Sequence, residues 1–402
     1  MSVLFMQKKI LFLTPWFPSH REDQTGNYIL DSLEALANLG HELTVLVTQP
    51  WRPKLAKILS KDWNKSPIDV TQFSEKFNLK VHHHFSIPRH YFRPISNYAY
   101  KYQIGSKLEA LARKNHCELI HAHTELAGWL AVNVAKRLCI PSVVTLHGID
   151  TDKKLYCGIT KKQLYEYTIS NADRLVLVGE PLINFFKNFT QKSDHFRVVH
   201  NGFRLTSQMM SSDKKMSERH FRFVSVSNLH EGKGIDINLY ALAKLKAAGI
   251  KNWTYKIIGD GYERKNLETL VNTLCLRDCV FFIGGCQHKD VYTHLSESDI
   301  FILPSYREAF GIAYVEAMSF GLLTIGVKGQ GPSAFIKHGK TGLLISPNSV
   351  YELASTLQAA FQSPHEMLKI ANAGKQYIIN HFTWRDHALN LTKIYDELLT
   401  RS

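Results

Sequence analysis

Short apolar runs alternate with segments of helical spacing along the chain. Residues 9–14 and 43–47 are apolar runs of strand length, and residues 27–39 between them are predicted to form a helix that ends at Gly40. A strand, a helix and a second strand in this order form a βαβ unit, in which the two strands are parallel. The chain therefore begins as an α/β protein.

The same order continues to the middle of the chain. A predicted strand at residues 119–123 precedes a predicted helix at 128–138, and residues 141–146 form an extended run that leads to His147. A lone histidine is more often a structural residue than a catalytic one. The position of His147 directly after a strand makes it a candidate site residue.

A polar stretch at residues 204–220 interrupts this order. It is rich in Ser, Lys and Met and has no periodicity, which predicts a linker between two domains. A second series of apolar runs follows, at residues 221–226, 255–258, 280–284, 300–303 and 323–327. At 402 residues, the chain is long enough for each domain to bury a core of its own.

One strand–loop–helix segment carries the clearest chemistry. An apolar run stops at Pro304, helical spacing starts at about Gly311, and Gly321 ends the helix. Glu308 lies in the loop and Glu316 in the helix, with seven residues between them. The loop opens at the carboxyl end of a strand, where open α/β sheets bind ligands, and the N–H groups at the helix start suit a phosphate. Two glutamates alone are more often ordinary solvated residues.

The residues around the two glutamates give this segment a family resemblance. Three pairs lie in register with them: Pro304-Ser305, Phe310-Gly311 and Ala317-Met318. The whole pattern resembles the signature of the retaining family 4 glycosyltransferases of the GT-B fold. The resemblance covers nearly all of the chain, weakly in the first half and firmly from about residue 221. It implies an α/β architecture of two Rossmann-like domains that face each other across a cleft.

The resemblance and the composition together divide the chain into four parts. Residues 1–205 are the predicted acceptor-binding Rossmann-like domain, and residues 206–220 are the linker. Residues 221–381 are the predicted nucleotide-sugar-binding Rossmann-like domain. Residues 382–402 are expected to form a helix that crosses back to the N-terminal domain, as in family relatives.

The resemblance also implies which residues bind the donor. Glu316 would accept hydrogen bonds from both ribose hydroxyls, since an ionised carboxylate has enough lone pairs for two donors. Lys233 and the helix start at Phe310, Gly311 and Ile312 would neutralise the diphosphate as it leaves. No cofactor is expected besides the nucleotide-sugar co-substrate, and a UDP- or GDP-linked sugar is favoured over an ADP-linked one.

Three positions depart from the usual family pattern. Gly26 stands alone in a loop where relatives carry a Gly-Gly pair, and Asn228 stands where relatives carry an arginine that grips the diphosphate. Ser333 stands where a glutamate is common. Gly26 and Asn228 are kept as donor-binding candidates, with one of the two expected phosphate-binding cations missing.

Glu308 and His147 are the predicted catalytic residues. Glu308 would hold hydroxyls of the donor sugar, and His147 would contact the sugar or help the acceptor proton to move. The resemblance implies a hexosyltransferase that retains the anomeric configuration and requires no metal. Both glutamates, Glu308 and Glu316, belong to the donor side, so front-face attack is favoured over double displacement.

Composition and charge suggest a compartment and an acceptor. Six cysteines without a C-x-x-C pair fit a reducing cytoplasm, and no apolar run approaches the ~18 residues of a membrane span. The formal net charge is +14, and residues 51–114 hold 13 Lys/Arg against 4 Asp/Glu, a net of +9, mixed with aromatic residues. Such a region suits either an anionic membrane surface or nucleic acid, and a solvated loop region is an equally good explanation.

We therefore expect a cytoplasmic enzyme, peripheral at the inner face of the plasma membrane through residues 51–114. Its acceptor would be a lipid-linked saccharide in bacterial polysaccharide biosynthesis, and nucleic acid is not an expected partner. Two other classes stay open. One is a GT-B sugar-nucleotide epimerase, which uses no acceptor. The other is a basic protein that binds membranes or nucleic acid and has an inactive GT-B fold.

Two further motifs could bind a metal ion, and both are weak. Asp150-Thr151-Asp152 is a D-x-D that could hold Mg²⁺ with substrate phosphates, but so short a pattern is commonly accidental. Residues 82–84 are three consecutive histidines, and consecutive residues of a strand point to opposite faces. No metal site is therefore predicted.

Overall fold

The computed structural model of the chain contains two compact units. Unit 1 comprises Met1–Gly202 and Trp384–Ser402, and unit 2 comprises Phe203–Thr383. The residues that the structure describes are 6–21, 23, 26–50, 68–73, 75–84, 89–148, 159–211 and 220–400. For residues 89–99, 159–161 and 211, the description covers the backbone alone.

Unit 1 is built on a parallel β-sheet. Its described residues form seven strands: β1 Lys9–Thr14, β2 Glu42–Pro50, β3 Asn78–His84, β4 Leu119–His123, β5 Ser142–Leu146, β6 Arg174–Leu177 and β7 Phe196–Val198. Their order in the sheet is β3-β2-β1-β4-β5-β6-β7, and neighbouring strands are parallel. The central strands are buried along their length, which explains why they are near-continuous apolar runs in the sequence.

Helices connect these strands. Within the described residues they are α1 Asn27–Asn38, α2 Arg89–Lys114, α3 Glu125–Leu138, α4 Ile159–Asn171 and α5 Pro181–Phe186, with the C-terminal helix α13 Trp384–Leu399, numbered by its place in the chain. Helix α13 belongs to unit 1 although 181 residues of unit 2 precede it in the chain. Its apolar residues Leu391 and Ile394 share a core cluster with Leu33 of α1 and Phe12 of β1.

Buried polar contacts also hold α13 in unit 1. His387 donates a hydrogen bond from Nδ1 to the carbonyl oxygen of His200, at 2.8 Å, so its Nε2 accepts the hydroxyl of Ser32 at 2.9 Å. Tyr395 bonds through its hydroxyl to Nδ1 of the fully buried His121 at 2.7 Å. Three other side chains of α13 are paired with residues of the same unit: Thr392 with His41, Asp396 with Lys8, and Glu397 with Arg174 and Arg197.

Unit 2 contains a second parallel sheet. Its described residues form β8 Phe221–Val226, β9 Trp253–Ile258, β10 Val280–Gly284, β11 Ile300–Ile302, β12 Leu323–Val327 and β13 Leu343–Ile345. Their order is β10-β9-β8-β11-β12-β13, and neighbouring strands are parallel. The helices of this unit are α6 Ser207–Ser211, α7 Ile235–Ala247, α8 Arg264–Thr273, α9 His288–Glu297, α10 Ile312–Ser319, α11 Val350–Gln362 and α12 Pro364–His381.

A buried hydrogen-bond network joins α7 to the centre of the second sheet. The amide nitrogen of Asn238 donates to the hydroxyl of Tyr255 at 2.7 Å and to the carbonyl oxygen of Ile302 at 3.3 Å. The hydroxyl of Ser225 bonds to the same carbonyl and to Tyr255. A buried network of this kind favours one arrangement of its members, although Oδ1 of Asn238 has no hydrogen-bond partner among the described residues. It therefore fixes where α7 begins, next to the ends of β8 and β11.

The structure confirms several predicted elements and corrects others. The predicted strand at 9–14 is β1, and the predicted helix at 27–39 is α1, which ends at Asn38. The last strand of the second sheet, β13, follows a turn at residues 339–341. The predicted linker at 206–220 contains the short helix α6, and residues 212–219 lie outside the described part of the chain.

The basic region at residues 51–114 contains two elements that were not predicted, β3 and α2. Residues 51–67, 74 and 85–88 lie outside the described residues, as do the side chains of 89–99, so the membrane-binding role of this region stays a prediction. Among the helices that the structure describes, none is long and apolar enough to cross a membrane.

Candidate active site

Two loops of unit 2 meet at the carboxyl edge of its sheet. One follows β8 and carries Lys233, and the other follows β11 and carries Glu308. Strands β8 and β11 are adjacent and parallel, so their carboxyl ends lie at the same edge. Lys233 Nζ donates to Glu308 Oε2 at 2.7 Å, and the two side chains are only 17% and 14% exposed. The predicted pair is thus brought into direct contact.

Backbone contacts hold the two loops together. Both the hydroxyl of Ser305 and the N–H of Tyr306 donate to the carbonyl oxygen of Gly232, at 3.2 and 3.1 Å. On the other side, the N–H of Glu308 donates to Gln330 Oε1 at 3.1 Å. The position of Glu308 is therefore set by the bond from its N–H to the side chain of Gln330 in a third loop, as well as by its ion pair.

Two glycines allow this close approach. Gly234, at the start of α7, has φ +67°, and a Cβ on it would lie 2.5 Å from the carbonyl oxygen of Pro304. Gly311, at the start of α10, has φ +92°, and a Cβ on it would lie 2.6 Å from the ring of Tyr314. Both positions combine a left-handed backbone with a lack of space, which is the situation that selects glycine.

Glu316 has different partners from Glu308. It lies on α10 and is 7% exposed. His288 Nε2 donates to Glu316 Oε1 at 2.6 Å, and the hydroxyl of Tyr292 donates to the same oxygen at 3.4 Å. The rings of His288 and Tyr292 lie 4.4 Å apart on α9. Both bonds go to Oε1, so Oε2 has no hydrogen-bond partner among the described residues.

Two of the other predicted donor-binding residues are exposed, and one is not. Asn228 is exposed, and Ile312 is 42% exposed at the first position of α10. The side chain of Phe310 is only 3% exposed and packs against Phe335 and Phe382, at 5.5 and 6.2 Å between ring centroids. The side chain of Phe310 is therefore part of the core, and the prediction that Phe310 contributes to donor binding at the helix start stays a prediction.

Ser333 and Arg307 were assigned no role from the sequence. The hydroxyl of Ser333 accepts the N–H of Gly329 at 2.9 Å and so closes the turn after β12. The guanidinium of Arg307 is exposed, lies 5.8 Å from the ring of Tyr306, and makes no hydrogen bond or ion pair with a described residue. Its Cδ lies 3.5 Å from where a Cβ on Gly232 would be, so its stem covers the loop that carries Lys233.

The candidate histidine of unit 1 lies beside a second histidine. His147 follows β5, and His123 is the last residue of the neighbouring strand β4. His123 Nδ1 and His147 Nε2 are 2.8 Å apart, and the two rings are inclined by only 14°. The sheet therefore joins two histidines that are 24 residues apart in the sequence.

Burial keeps both histidines neutral. It lowers the pKa of His147 to about 3, with a smaller contribution from His387. It also lowers the pKa of His123 well below the usual value, with smaller contributions from His121 and His147. Neither ring is an imidazolium at neutral pH, so neither can supply positive charge to a substrate.

Aromatic rings surround His147. Tyr28 of α1 lies 4.7 Å from it and Trp16 lies 6.4 Å from it, measured between ring centroids. Gly26 precedes α1 with φ +82°, and a Cβ on it would lie 2.9 Å from the backbone nitrogen of Phe17. Gly26 therefore shapes the turn that carries Tyr28 towards His147, which explains why this glycine is needed although the second glycine of the family pattern is absent.

Within the described residues, no group of three or more His, Cys, Asp or Glu side chains could hold a metal ion. The D-x-D at residues 150–152 lies outside the described part of the chain. Of the three histidines at 82–84, His84 is buried and its neighbour His83 is exposed, as expected for consecutive residues of β3.

Sequence reasoning gave no role to several residues that hydrogen-bond to the predicted site residues, among them His288, Tyr292, Gln330 and His123. The strand prediction at 119–123 contained a signal for His123, because adjacent parallel strands end at the same edge as His147. The contact between His288 and Glu316 joins two helices, and no local pattern predicts such a pair.

Two family profiles match most of the chain. The profile described as Glycosyltransferase Family 4 matches residues 25–207, and the one described as Glycosyl transferases group 1 matches residues 210–377. The boundary between the matches lies close to the boundary between unit 1 and unit 2.

Curated relatives are similar at a moderate level. An uncharacterized glycosyltransferase of Bacillus subtilis, YqgM, is 24% identical over 73% of this chain and 81% of its own length. The N-acetyl-alpha-D-glucosaminyl L-malate synthase of Bacillus anthracis is 26% identical over 61% of this chain and 65% of its own length. The putative colanic acid biosynthesis glycosyltransferase WcaL of Salmonella typhimurium is 25% identical over 56% of both chains.

A solved structure gives the same fold over nearly the whole chain. HepE of Anabaena, in complex with UDP, superposes with a TM-score of 0.70 at 18% identity and covers 97% of this chain and all of its own. Its likeness supports the fold, and the sequence profiles identify the family. The chain belongs to the family 4 glycosyltransferases and has the GT-B fold of two Rossmann-like units.

Proposed function

We propose that this glycosyltransferase moves a sugar, with retention of configuration, from a nucleotide-sugar donor to a glycan acceptor in polysaccharide assembly. One observation carries the proposal: Lys233, Glu308 and Glu316 lie on loops and a helix at one edge of the second sheet, each held by specific contacts. The complexes of HepE with UDP and with UDP-glucose support a nucleotide-sugar donor by analogy.

Glu316 binds the ribose in this proposal. Its Oε1 is already bonded to His288 and Tyr292, which leaves Oε2 as the acceptor for ribose hydroxyls. A carboxylate oxygen accepts two hydrogen bonds, so Oε2 alone can serve both the 2′- and the 3′-hydroxyl. The bond from His288 fixes the orientation of the carboxylate before the donor arrives.

Lys233 and Glu308 exchange partners when the donor binds. In the structure they form a partly buried ion pair, which carries no net charge. The incoming diphosphate takes Lys233 as its counter-charge, and Glu308 then accepts hydrogen bonds from hydroxyls of the donor sugar. The pair therefore keeps both side chains positioned in the free enzyme, because a lone buried charge would be costly there.

Arg307 supplies the second cation that Asn228 does not. It is exposed, carries no ion pair within the described residues, and lies over the same loop as Lys233. An arginine that has no carboxylate partner can form a bidentate bond with a phosphate. The leaving diphosphate is then held by two cations although position 228 is an asparagine.

The proposed chemistry follows from the roles of the two glutamates, which both belong to the donor side. Glu308 orients the sugar and Glu316 holds the ribose, so neither is assigned as a nucleophile. The acceptor oxygen attacks the anomeric carbon on the same face of the sugar from which the diphosphate departs. The leaving phosphate takes the proton of the acceptor hydroxyl. His147 contacts the transferred sugar. The stabilisation of the leaving group comes from Lys233, Arg307 and the start of α10, and it requires no metal.

The acceptor is a lipid-linked saccharide at an anionic membrane surface. The net charge of +9 in residues 51–114 and the relationship to the putative colanic acid enzyme WcaL support this part. The relative that is an L-malate synthase represents the alternative, a small soluble acceptor. Flotation of the full chain with anionic liposomes at low salt separates the two, and a protein that stays unbound would remove the membrane from the proposal.

A donor panel tests the proposed function directly. UDP-, GDP- and ADP-sugars are incubated with the full chain, with and without EDTA, and release of the nucleotide is followed. We expect one base to be preferred and EDTA to have no effect. NMR of the glycoside product is expected to show retained anomeric configuration. A product formed without any acceptor would indicate an epimerase, and loss of activity in EDTA would contradict the metal-independent mechanism.

A further inference from the structure

We propose that Trp16 and Tyr28, beside His147, bind a sugar ring of the acceptor. The pyranose stacks on the exposed indole of Trp16, and the hydroxyl of Tyr28 forms a hydrogen bond with one of its hydroxyl groups. All three aromatic residues belong to unit 1. The choice of the acceptor over the donor as the source of this sugar rests on the proposed function.

A fixed turn presents Trp16 at the carboxyl edge of the first sheet. The hydroxyl of Thr14, the last residue of β1, donates to the carbonyl oxygen of Trp16 at 3.0 Å and accepts its N–H at 3.1 Å. The next side chain, Phe17, is 5% exposed and packs in the core against Phe73, with 5.1 Å between ring centroids. The backbone of Trp16 is therefore held on both sides, at the edge where open α/β sheets bind ligands.

The rings of Trp16, Tyr28 and His147 contact one another. The centroid of Trp16 lies 6.4 Å from that of Tyr28 and 6.4 Å from that of His147, and the centroids of Tyr28 and His147 are 4.7 Å apart. The three pairs of planes are inclined by 71°, 59° and 56°, so the rings form a corner instead of a closed stack. Trp16 keeps 43% of its surface exposed in this corner.

The exposure of Trp16 alone carries no argument, because single exposed aromatic residues are normal in folded proteins. Tyr240 of α7 is also 43% exposed. Trp16 differs from Tyr240 because it contacts a candidate site residue, His147, and because a second partly exposed ring, that of Tyr28, lies against both. A group of rings at the ligand-binding edge of a sheet is a candidate binding surface.

The three rings suit a neutral ligand. Burial raises the pKa of Tyr28 above its ordinary value and lowers that of His147, so none of the rings is charged at neutral pH. The hydroxyl of Tyr28 makes no hydrogen bond with a described residue and its oxygen is not fully buried, so it can bond to a ligand. An acidic acceptor would need a cation, which these rings do not provide.

A pyranose ring matches both properties of the site. Its C–H groups form an apolar face that packs against an aromatic ring, and its rim of hydroxyl groups can bond to polar tips such as the Tyr28 hydroxyl and the indole N–H. Within the described residues, the hydrogen bonds of Trp16 are made by its backbone, so its indole N–H is available to such a ligand.

The position beside His147 selects the acceptor. In the proposed function, unit 2 holds the nucleotide and His147 contacts the transferred sugar. The acceptor hydroxyl must reach the anomeric carbon of that sugar, so the acceptor ring lies next to it. Trp16 and Tyr28 are the partly exposed rings that contact His147 in the described part of the chain.

Saturation-transfer NMR tests the site without any donor. Methyl glycosides of glucose, galactose, mannose and N-acetylglucosamine are mixed with the full chain, with Trp16→Ala and Trp16→Phe, and with Tyr240→Ala as the control for loss of an equally exposed aromatic ring. Melting temperatures confirm that each variant is folded. We expect one glycoside to bind with the strongest saturation on the C–H groups of one face.

The affinity for this glycoside should fall about tenfold in Trp16→Ala, stay within about threefold in Trp16→Phe, and be unchanged in Tyr240→Ala. Tyr28→Phe should weaken binding about fivefold, because one hydrogen bond is lost. Equal binding to the unaltered chain and to Trp16→Ala, or no saturation transfer to any of the glycosides, would overturn the proposal.

Calorimetry with UDP-, GDP- and ADP-glucose separates the acceptor from the donor. In Trp16→Ala, the affinity for the preferred nucleotide sugar should fall less than about twofold, against the tenfold loss for the glycoside. An equal loss for both ligands would assign the rings to the donor sugar and contradict the proposal. Failure of the unaltered chain to bind any nucleotide sugar would contradict the proposed function, and the glycoside measurement would still decide whether the sugar site exists.

Discussion

At the residue scale, the two glutamates of the motif have distinct surroundings. Glu308 is paired with Lys233, a cation that a diphosphate can take over. Glu316 is bonded to His288 and Tyr292 through one oxygen and keeps the other available. One carboxylate is thus arranged to change partners and the other to stay fixed. This difference suits a donor that brings both a negative diphosphate and neutral hydroxyl donors.

The proposed role of Arg307 as a second cation leads to the first prediction. Arg307→Gln should weaken donor binding by about tenfold, the amount expected when one charge-assisted hydrogen bond is lost. Arg385→Gln, an exposed arginine of α13, is the matched control for the loss of one positive charge. Donor affinity is measured by calorimetry. Equal, small effects in both variants would show that Arg307 acts only through net charge.

The bond from His288 to Glu316 leads to the second prediction. His288→Phe removes the donor while keeping an aromatic ring beside Tyr292, and should raise the donor KM by about tenfold because the carboxylate is no longer oriented. His288→Gln can still donate to Oε1 and should stay within about threefold of the original KM. The measurement is initial rate against donor concentration. A donor KM unchanged in His288→Phe would mean that the bond is irrelevant to binding.

At the element scale, the site depends on turns that bring loops within contact of each other. Gly234 and Gly311, which precede helices α7 and α10, each have a left-handed backbone. A Cβ added to either glycine would lie closer than van der Waals distance to another loop or to an aromatic ring. Helices α7 and α10 both begin directly after these glycines, whose left-handed conformation allows the chain to turn from the loop into the helix.

Gly234→Ala is the third prediction. Its added Cβ lies 2.5 Å from the carbonyl oxygen of Pro304, whereas a Cβ on Gly249, which also has positive φ, meets nothing within 4 Å. Gly249→Ala should therefore lower the free energy of unfolding by about 1 kcal/mol, because of the backbone conformation alone. Gly234→Ala should lower it by about 2 kcal/mol more than Gly249→Ala does, because the two loops must also separate. Urea unfolding measures both, and equal losses would contradict the proposed close approach.

Much of the fold at this scale was predictable, and the exceptions have physical reasons. Strands β1 and β11 are almost entirely apolar and β4 and β8 are mainly so, and all four were therefore recognisable as short apolar runs. Strand β3 reads Asn-Leu-Lys-Val-His-His-His, and its mixed polarity concealed it. The donor-site residues were predicted from a motif with fixed spacing. The contacts of His123 and His288 depend on sheet register and helix packing, which no local pattern contains.

At the scale of the whole molecule, unit 1 includes α13, which buried histidines hold in place. Burial lowers the pKa of His121 to about 3 and that of His387 to about 4. Both residues make hydrogen bonds in the neutral form, to Tyr395 and Ser32. The unfolded chain binds protons at these residues near the usual pKa of 6.5, and the folded chain does not.

Stability is therefore predicted to fall in mild acid. The contribution of each depressed histidine is fully present above pH 6.5 and is lost as the pH falls through the folded-state pKa. Between pH 6.5 and 5 the free energy of unfolding should decrease by about 2 kcal/mol for each of His121 and His387. Urea unfolding at pH 7, 6 and 5 measures this slope, with His387→Asn as the control that reduces it. A free energy of unfolding that is constant over this range would contradict the neutral buried state.

The central claim is that unit 2 binds a nucleoside diphosphate through Glu316. Calorimetry with UDP, GDP and ADP tests it on three proteins: the unaltered chain, Glu316→Gln, and Glu297→Gln, a control glutamate that is exposed and pairs with Lys256. The account predicts one preferred nucleotide, binding weakened at least about tenfold in Glu316→Gln, and unchanged binding in Glu297→Gln. Equal affinity in all three proteins, or no binding of any nucleotide, would contradict it.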